Sequence, residues 1–198
     1  MIPGDRFWNT VLFPVAGPMV RRLVRLRVTG AETLPTQGAV LLVANHQSMW
    51  DILALGAAQT RPIRYMAKAE LFKFPPFAAV LRAGGTFPVR RGEPDRDALR
   101  TAHETLEAGG QVCVFIQGHR QEGFEEAKAG AGRMAVVEDA DVVPVWIKSR
   151  GWRPGRHIVI RFGEPRRYER RPGRAAETYR QIADEIMGEI RRLAEGAP

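Results

Sequence analysis

The chain has 198 residues, 44% hydrophobic and 26% charged, the balance of a folded globular protein long enough for one domain with a substantial core. Its single cysteine, Cys113, excludes an internal disulfide framework and any cysteine-based zinc cluster. Thirty Lys and Arg against 22 Asp and Glu give a formal net charge of +8, which favours an anionic partner and leaves nucleic acid, anionic lipid and a phosphorylated small molecule open.

At the amino end, "FWNTVLFPVAGPMV" runs into "RRLVRLR". Residues 5–27 read as an amphipathic helix with a basic end. Pro14 and Pro18 interrupt the apolar part, which is too short to span ~30 Å of hydrocarbon, and no small-residue cleavage pattern of a secretory signal follows. Two placements are open for it: on an anionic membrane surface, or packed against the domain's own core. The expected organisation is a segment 1–27 followed by a domain over 28–198.

Apolar, β-rich runs follow at 39–44, 63–67, 85–89, 111–116, 142–147 and 157–163. Several are continuous instead of alternating, as in strands covered on both faces. Cys113 lies inside one of them, "QVCVFI", and reads as a buried structural thiol. Helical patterns lie between or after the runs: "EPDRDALRTAHETLEAGG", with Pro94 near its first turn, "GAGRMAVVEDA", and a long amphipathic stretch ending at Gly196. This alternation predicts an α/β fold, a single domain with a mixed, largely parallel sheet of about six or seven strands flanked by helices. The charged stretch "RRYERRPGR" reads as a solvated loop.

In such a sheet, chemistry collects in the loops that leave strand ends. Three loops qualify: "NHQSMWD", "VRRGEPD" and "QGHRQEG". An imidazole is the side chain best suited to take a proton from an alcohol near neutral pH, and works better when one ring nitrogen donates to a carboxylate. His46 has Asp51 five positions on, close enough to fold back. A given offset holds an Asp by chance roughly one time in twenty, so spacing alone decides nothing. The chain has no G-x-S-x-G elbow and no cysteine in a polar loop, so His46 would act on a substrate hydroxyl. In the second loop, Arg90 and Arg91 sit beside Gly92, suited to a phosphate or simply to water. The third offers Gln117, Gly118, His119 and Arg120. There Gly118 permits close backbone approach, and His119, with no carboxylate at a matching offset, reads as a loop residue or substrate contact.

In their order and spacing, these blocks resemble the glycerolipid acyltransferases of the lysophosphatidic acid (1-acylglycerol-3-phosphate) acyltransferase type. "NHQSMWD" matches that family's N-H-x-x-x-x-D completely. "GTFPVRRG" is similar to its second block, "FIQGHRQ" to its F-P-E-G-T-R-S, and "VVPVWI" to its fourth, a Pro in an apolar strand. "YMAKAEL" sets Lys68 where the family has a Lys, "AKAGAGRMA" is similar to a further Lys-x-Gly segment, and the resemblance spans about residues 26–165.

The resemblance implies an acyltransferase with His46 as general base and Asp51 as its orienting carboxylate. The acceptor would be the free hydroxyl of a lysophospholipid, foremost 1-acylglycerol-3-phosphate, giving phosphatidic acid in phospholipid biosynthesis. The donor would be an acyl thioester on coenzyme A or acyl carrier protein. Arg91 would hold the acceptor phosphate, with Lys68, Arg90, Gln117, Gly118 and Arg120 as further substrate contacts. No metal or organic cofactor and no nucleic acid is expected. The enzyme would be cytoplasmic and peripheral on the inner face of the membrane, anchored to an anionic surface by its amphipathic amino end.

The sequence departs from the family in the third block, where Ile116, Gln117 and His119 replace Pro, Glu and Thr. Gln keeps the shape and an acceptor oxygen but loses the charge. That bears on the acceptor: another lysophospholipid head group, or another hydroxyl or amine, is the alternative, as is a non-catalytic lipid- or membrane-binding protein on the same fold. Nucleic-acid binding is disfavoured because the aromatics do not interleave with the basic loops.

Overall fold

The computed structural model describes residues 14–90, 95–120, 124, 127–149, 153–154 and 156–196. Strand β2, Val40–Ala44, is buried along its whole length. Val40, Leu42 and Ala44 face one apolar cluster, and Leu41 and Val43 face another, so the sheet is covered on both sides. The other strands are β1 (Arg27–Thr29), β3 (Ile63–Lys68), β4 (Phe87–Val89), β5 (Gln111–Phe115), β6 (Asp141–Lys148) and β7 (Val159–Phe162). They form one sheet in the order β1-β7-β6-β2-β5-β3-β4. From β6 through β4 all neighbours are parallel, whereas β7 is antiparallel to β6 and β1 is parallel to β7. The result is the mixed, largely parallel α/β domain expected, with seven strands.

The helices are α1 (Gly17–Leu23), α2 (Trp50–Ala58), α3 (Pro75–Ala83), α4 (Arg96–Glu107), α5 (Ala129–Val137) and α6 (Ala175–Glu195). On one face, Ala98, Ala102 and Leu106 of α4, Met134 of α5 and Ile182, Ile186 and Ile190 of α6 pack on Leu41, Val43, Val112 and Val142. On the other, Val20 of α1 and Ala54 and Leu55 of α2 pack on Leu42, Cys113, Val143 and Val145. Helices α5 and α6 approach closely because Gly132 has no side chain: a Cβ there would lie 1.9 Å from the Tyr179 carbonyl oxygen. Cys113 is buried, as its surroundings in sequence suggest.

The structure corrects one local expectation and adds detail at two other places. The helix expected over 5–27 lies outside the described residues up to residue 13, and the described part ends at Leu23. Arg25 then takes a left-handed φ of 48°, and the chain enters β1, where the Arg27 N–H donates to Ile158 O at 2.9 Å. A three-residue edge strand, Arg-Val-Thr, leaves no apolar run to find. Helix α4 starts at Arg96, capped by Asp95, whose side chain accepts from the Ala98 N–H; Pro94 lies outside the described residues. Among the described residues, no helix is long and apolar enough to cross a membrane.

Candidate active site

Because β6, β2, β5, β3 and β4 share one direction, their carboxyl ends open on the same edge of the sheet. His46 follows β2, Gln117 follows β5 and Ser149 follows β6, so the His46 loop is flanked on both sides by the ends of adjacent strands.

Asp51 stands in the first turn of α2, fully buried, where the helix amino terminus favours a carboxylate. Its Oδ2 lies 2.7 Å from His46 Nδ1 and accepts the backbone N–H groups of Gln47 at 2.7 Å and Ser48 at 3.0 Å. Its Oδ1 accepts from the Ser149 hydroxyl, and the Ser48 Oγ lies 3.4 Å from it. With Nδ1–H directed at the carboxylate, the imidazole carries its lone pair on Nε2. The ring stacks on Phe115, centroids 3.9 Å apart and planes inclined by 17°. The expected fold-back of Asp51 onto His46 is therefore present as geometry.

The Tyr65 phenol and the Cys113 thiol near Asp51 hold their protons. Burial, Cys113 and the Asp51 charge push the Tyr65 phenol well above its ordinary value, and burial with Asp51 does the same to the Cys113 thiol. Tyr65 spends its hydrogen on the Ile52 carbonyl at 3.1 Å. Among the described residues, no group of three or more His, Cys, Asp and Glu could hold a metal ion.

Gln117 is buried beside the pair, its Oε1 accepting the His46 N–H at 3.5 Å. Gly118 takes φ +74°, and a Cβ there would sit 3.3 Å from Lys128 Cδ, so the lysine stem lies against the turn. His119 and Arg120 are exposed beyond it. Lys68, at the end of β3, is half exposed, with Nζ 3.5 Å from Glu70. The Arg90 N–H donates to Asp95 at 2.8 Å, and Arg90 lines a cavity of about 210 Å³ with Phe87, Asp95 and Asp97. Lys68 ends β3 and Arg90 directly follows β4, strands two and three places from β2, so about 10 and 14 Å of sheet width separate their backbones from the His46 loop. Arg91 lies outside the described residues.

A larger cavity of about 450 Å³, between α1 and α2, has no part in this arrangement. It includes Arg21 and Arg61; Arg61 donates to Gly38 O and Gly109 O, ahead of β2 and β5, so the cavity opens near the opposite edge of the sheet. Sequence reading missed Asn45, Phe115 and Ser149. Ser149 is within reach of the same loop argument, since it directly follows β6.

Known proteins add the following. The chain is 30% identical to the 1-acyl-sn-glycerol-3-phosphate acyltransferase of Bacillus subtilis across 60% of this chain and 60% of that protein. It is 26% identical to the protein of the same name from Streptococcus pneumoniae, across 98% of this chain and 76% of that one. A lyso-ornithine lipid O-acyltransferase of Pseudomonas aeruginosa is 32% identical across 56% of this chain and 43% of its own length. The chain thus spans about 60% of the length of the Bacillus relative and less than half of the Pseudomonas one. The crystal structure of the 1-acyl-sn-glycerophosphate (LPA) acyltransferase, PlsC, from Thermotoga maritima shares the fold, with a TM-score of 0.68 at 22% identity over 92% of this chain and 81% of that one. With the acyltransferase family model matching residues 25–148, well over half of its length, this chain belongs to the acyltransferase family.

Proposed function

We propose that this protein is an O-acyltransferase that moves a fatty acyl group from an acyl thioester to the free hydroxyl of 1-acylglycerol-3-phosphate, giving phosphatidic acid. The observation that carries this reading is the buried His46–Asp51 pair, Nδ1 to Oδ2 at 2.7 Å, which leaves Nε2 as the basic nitrogen. The Ser149 hydroxyl donates to Asp51 and the Ser48 hydroxyl lies 2.8 Å from that of Ser149, so both are engaged on the Nδ1 side of the ring and the alcohol at Nε2 is assigned to the substrate.

His46 Nε2 takes the proton of the acceptor hydroxyl as its oxygen attacks the thioester carbonyl. The Asp51 carboxylate stabilises the imidazolium that forms, which then returns the proton to the departing thiolate. Lys68, Arg90, Arg91 and Arg120 are the cations assigned to the acceptor phosphate, and Gln117 and Gly118 line its approach. A ligand reaching from the His46 loop across β5 towards β3 and β4 suits an acceptor whose hydroxyl and phosphate lie at different points of one molecule. The thioester is carried by coenzyme A or acyl carrier protein, and no metal or organic cofactor enters the reaction. The enzyme works from the cytoplasmic side at the inner membrane face, with the amino-terminal segment 1–27 as its contact to anionic lipid and residues 28–198 as the acyltransferase domain.

Gln117 supports a second acceptor. A neutral amide beside His46, together with a relative named for a lyso-ornithine lipid, favours a lysolipid with a different head group as the alternative. The test is transfer from acyl-coenzyme A and acyl carrier protein thioesters to a panel of lysolipids, with His46→Ala alongside. Transfer that His46→Ala leaves unchanged overturns the mechanism, and no transfer to any acceptor favours a binding protein. The head group preferred identifies the acceptor, and Gln117→Glu is expected to raise turnover with 1-acylglycerol-3-phosphate.

A further inference from the structure

The contacts to the two carboxylate oxygens of Asp51 differ in origin. Those to Oδ2, from His46, Gln47 and Ser48, all arise within the loop that Asp51 itself closes. They would form however that loop sat on the sheet. Oδ1 instead accepts from Ser149, 98 positions away at the carboxyl end of β6 and itself buried. Ser149 also donates its backbone N–H to Gln47 Oε1 at 3.0 Å, joining the same loop a second time.

The hydrogens here have one consistent direction. The Trp50 N–H donates to Ser48 Oγ at 3.1 Å, and Ser48 and Ser149 Oγ are 2.8 Å apart. With Ser149 donating to Asp51, Ser48 donates to Ser149, so each hydroxyl accepts once and donates once in a chain that ends on the carboxylate. Such chains polarise along their length. Without Ser149, the hydroxyl left near Oδ1 would be that of Ser48 at 3.4 Å, and a buried carboxylate oxygen without a good donor turns to find one.

We infer that Ser149 is a positioning residue for the acyl transfer proposed above, on which this assignment rests. Its hydroxyl sets the rotation of the Asp51 carboxylate, keeping Oδ2 in line with His46 Nδ1 and the imidazole in the tautomer with a basic Nε2. Ser149 acts through Asp51 and touches no substrate.

The test has a readout independent of turnover: the low-field proton resonance of His46 Nδ1, assigned by its disappearance in His46→Gln. It is expected to be sharp in the wild type and in Ser149→Thr, which keeps a hydroxyl, and broadened or lost in Ser149→Ala and in Ser149→Cys, a weak donor. In the transfer assay, kcat is expected to fall about tenfold in the Ala and Cys variants, with both KM values within about twofold and Thr restoring the rate. If Ser149→Ala does not fold, Ser149→Cys carries the comparison. An unchanged resonance in a folded Ala or Cys variant overturns the assignment, as does a lost resonance with wild-type kcat. If no lysolipid is acylated by the wild type while the resonance behaves as expected, the proposed reaction fails and the Ser149–Asp51 contact stands.

Discussion

Asn45 and Ile147 exchange two hydrogen bonds across the ends of β2 and β6. Asn45 Nδ2 donates to Ile147 O at 2.9 Å, and Asn45 Oδ1 accepts the Ile147 N–H at 2.7 Å. The strand register ends at Ala44 opposite Val145, so the amide side chain continues the ladder where the backbone leaves it. This fixes the residue before His46 to the sheet. Asn45→Ala leaves a buried donor and a buried acceptor unpaired, at about 1–3 kcal/mol each, so about 2–6 kcal/mol is expected to be lost in urea unfolding. A loss under about 1 kcal/mol would show that the clamp contributes nothing to the fold.

The carboxylate of Asp51 can be neutralised with little change of shape. In Asp51→Asn the side-chain oxygen can keep the contacts to Gln47 and Ser48, while the amide nitrogen faces the hydroxyl oxygen of Ser149. What is lost is the charge that stabilises the imidazolium. The expected result is a kcat lower by about 10²–10⁴-fold with a near-native melting temperature. A kcat within a few-fold of wild type would remove the base–carboxylate pair from the reaction.

What the sequence made legible follows from how each signal is encoded. β2 and β5 are continuous apolar runs because both their faces are covered, and such runs show in any window. β1 shows nothing, because Val28 is its one apolar residue and pairing with β7 at the sheet edge completes the strand. Helix α2 was missed because "WDILALGAA" is apolar almost throughout, and a helix that packs by its small residues has little amphipathic pattern. In the site, His46 and Asp51 are five positions apart and readable as a unit, whereas Asn45–Ile147 and Asp51–Ser149 join residues about a hundred positions apart. Only the pairing of β2 with β6 brings them together, and no local pattern announces that pairing.

A surface histidine gives the fold a pH dependence. His103 of α4 has Nδ1 2.8 Å from Glu138 Oε2, just beyond the end of α5, and Nε2 4.0 Å from Glu107 Oε2. The bond to Glu138 first, and then its charge, raise the imidazole above its ordinary value. A raised folded value means that the stabilisation is complete below the unfolded value of about 6.5 and is lost as pH rises through the folded one. His103→Gln is therefore expected to lower the melting temperature at about pH 5.5 and to leave it unchanged near pH 9. Because His103 is exposed, added salt should shrink the difference. A difference that grows with pH would contradict the sign.

The proposed membrane contact can be tested without disturbing the domain. Val15, just ahead of α1, and Met19 and Leu23 within it recur every fourth residue and are 64%, 64% and 48% exposed, while Val20 and Val24 are buried against the sheet. At α2, which packs beside α1, the capping residue Met49 and Leu53 are also exposed, and Met49 lies two residues before Asp51. Removing the amino-terminal segment outright would also remove Val20 and Val24 from the core, and Arg21, which bonds the last carbonyls of α2 at 2.6 and 3.2 Å. The discriminating variant is Met19→Glu with Leu23→Glu, which alters only the outer face. Against vesicles containing anionic phospholipid, it is expected to sediment with affinity lower by about tenfold or more at an unchanged melting temperature, because apolar insertion is lost and two negative charges meet an anionic surface. Transfer to a lysolipid presented in vesicles should fall with it, while transfer to a short-chain acceptor free in solution should not. Equal sedimentation of the variant and the wild type would mean that this face of α1 does not meet the membrane.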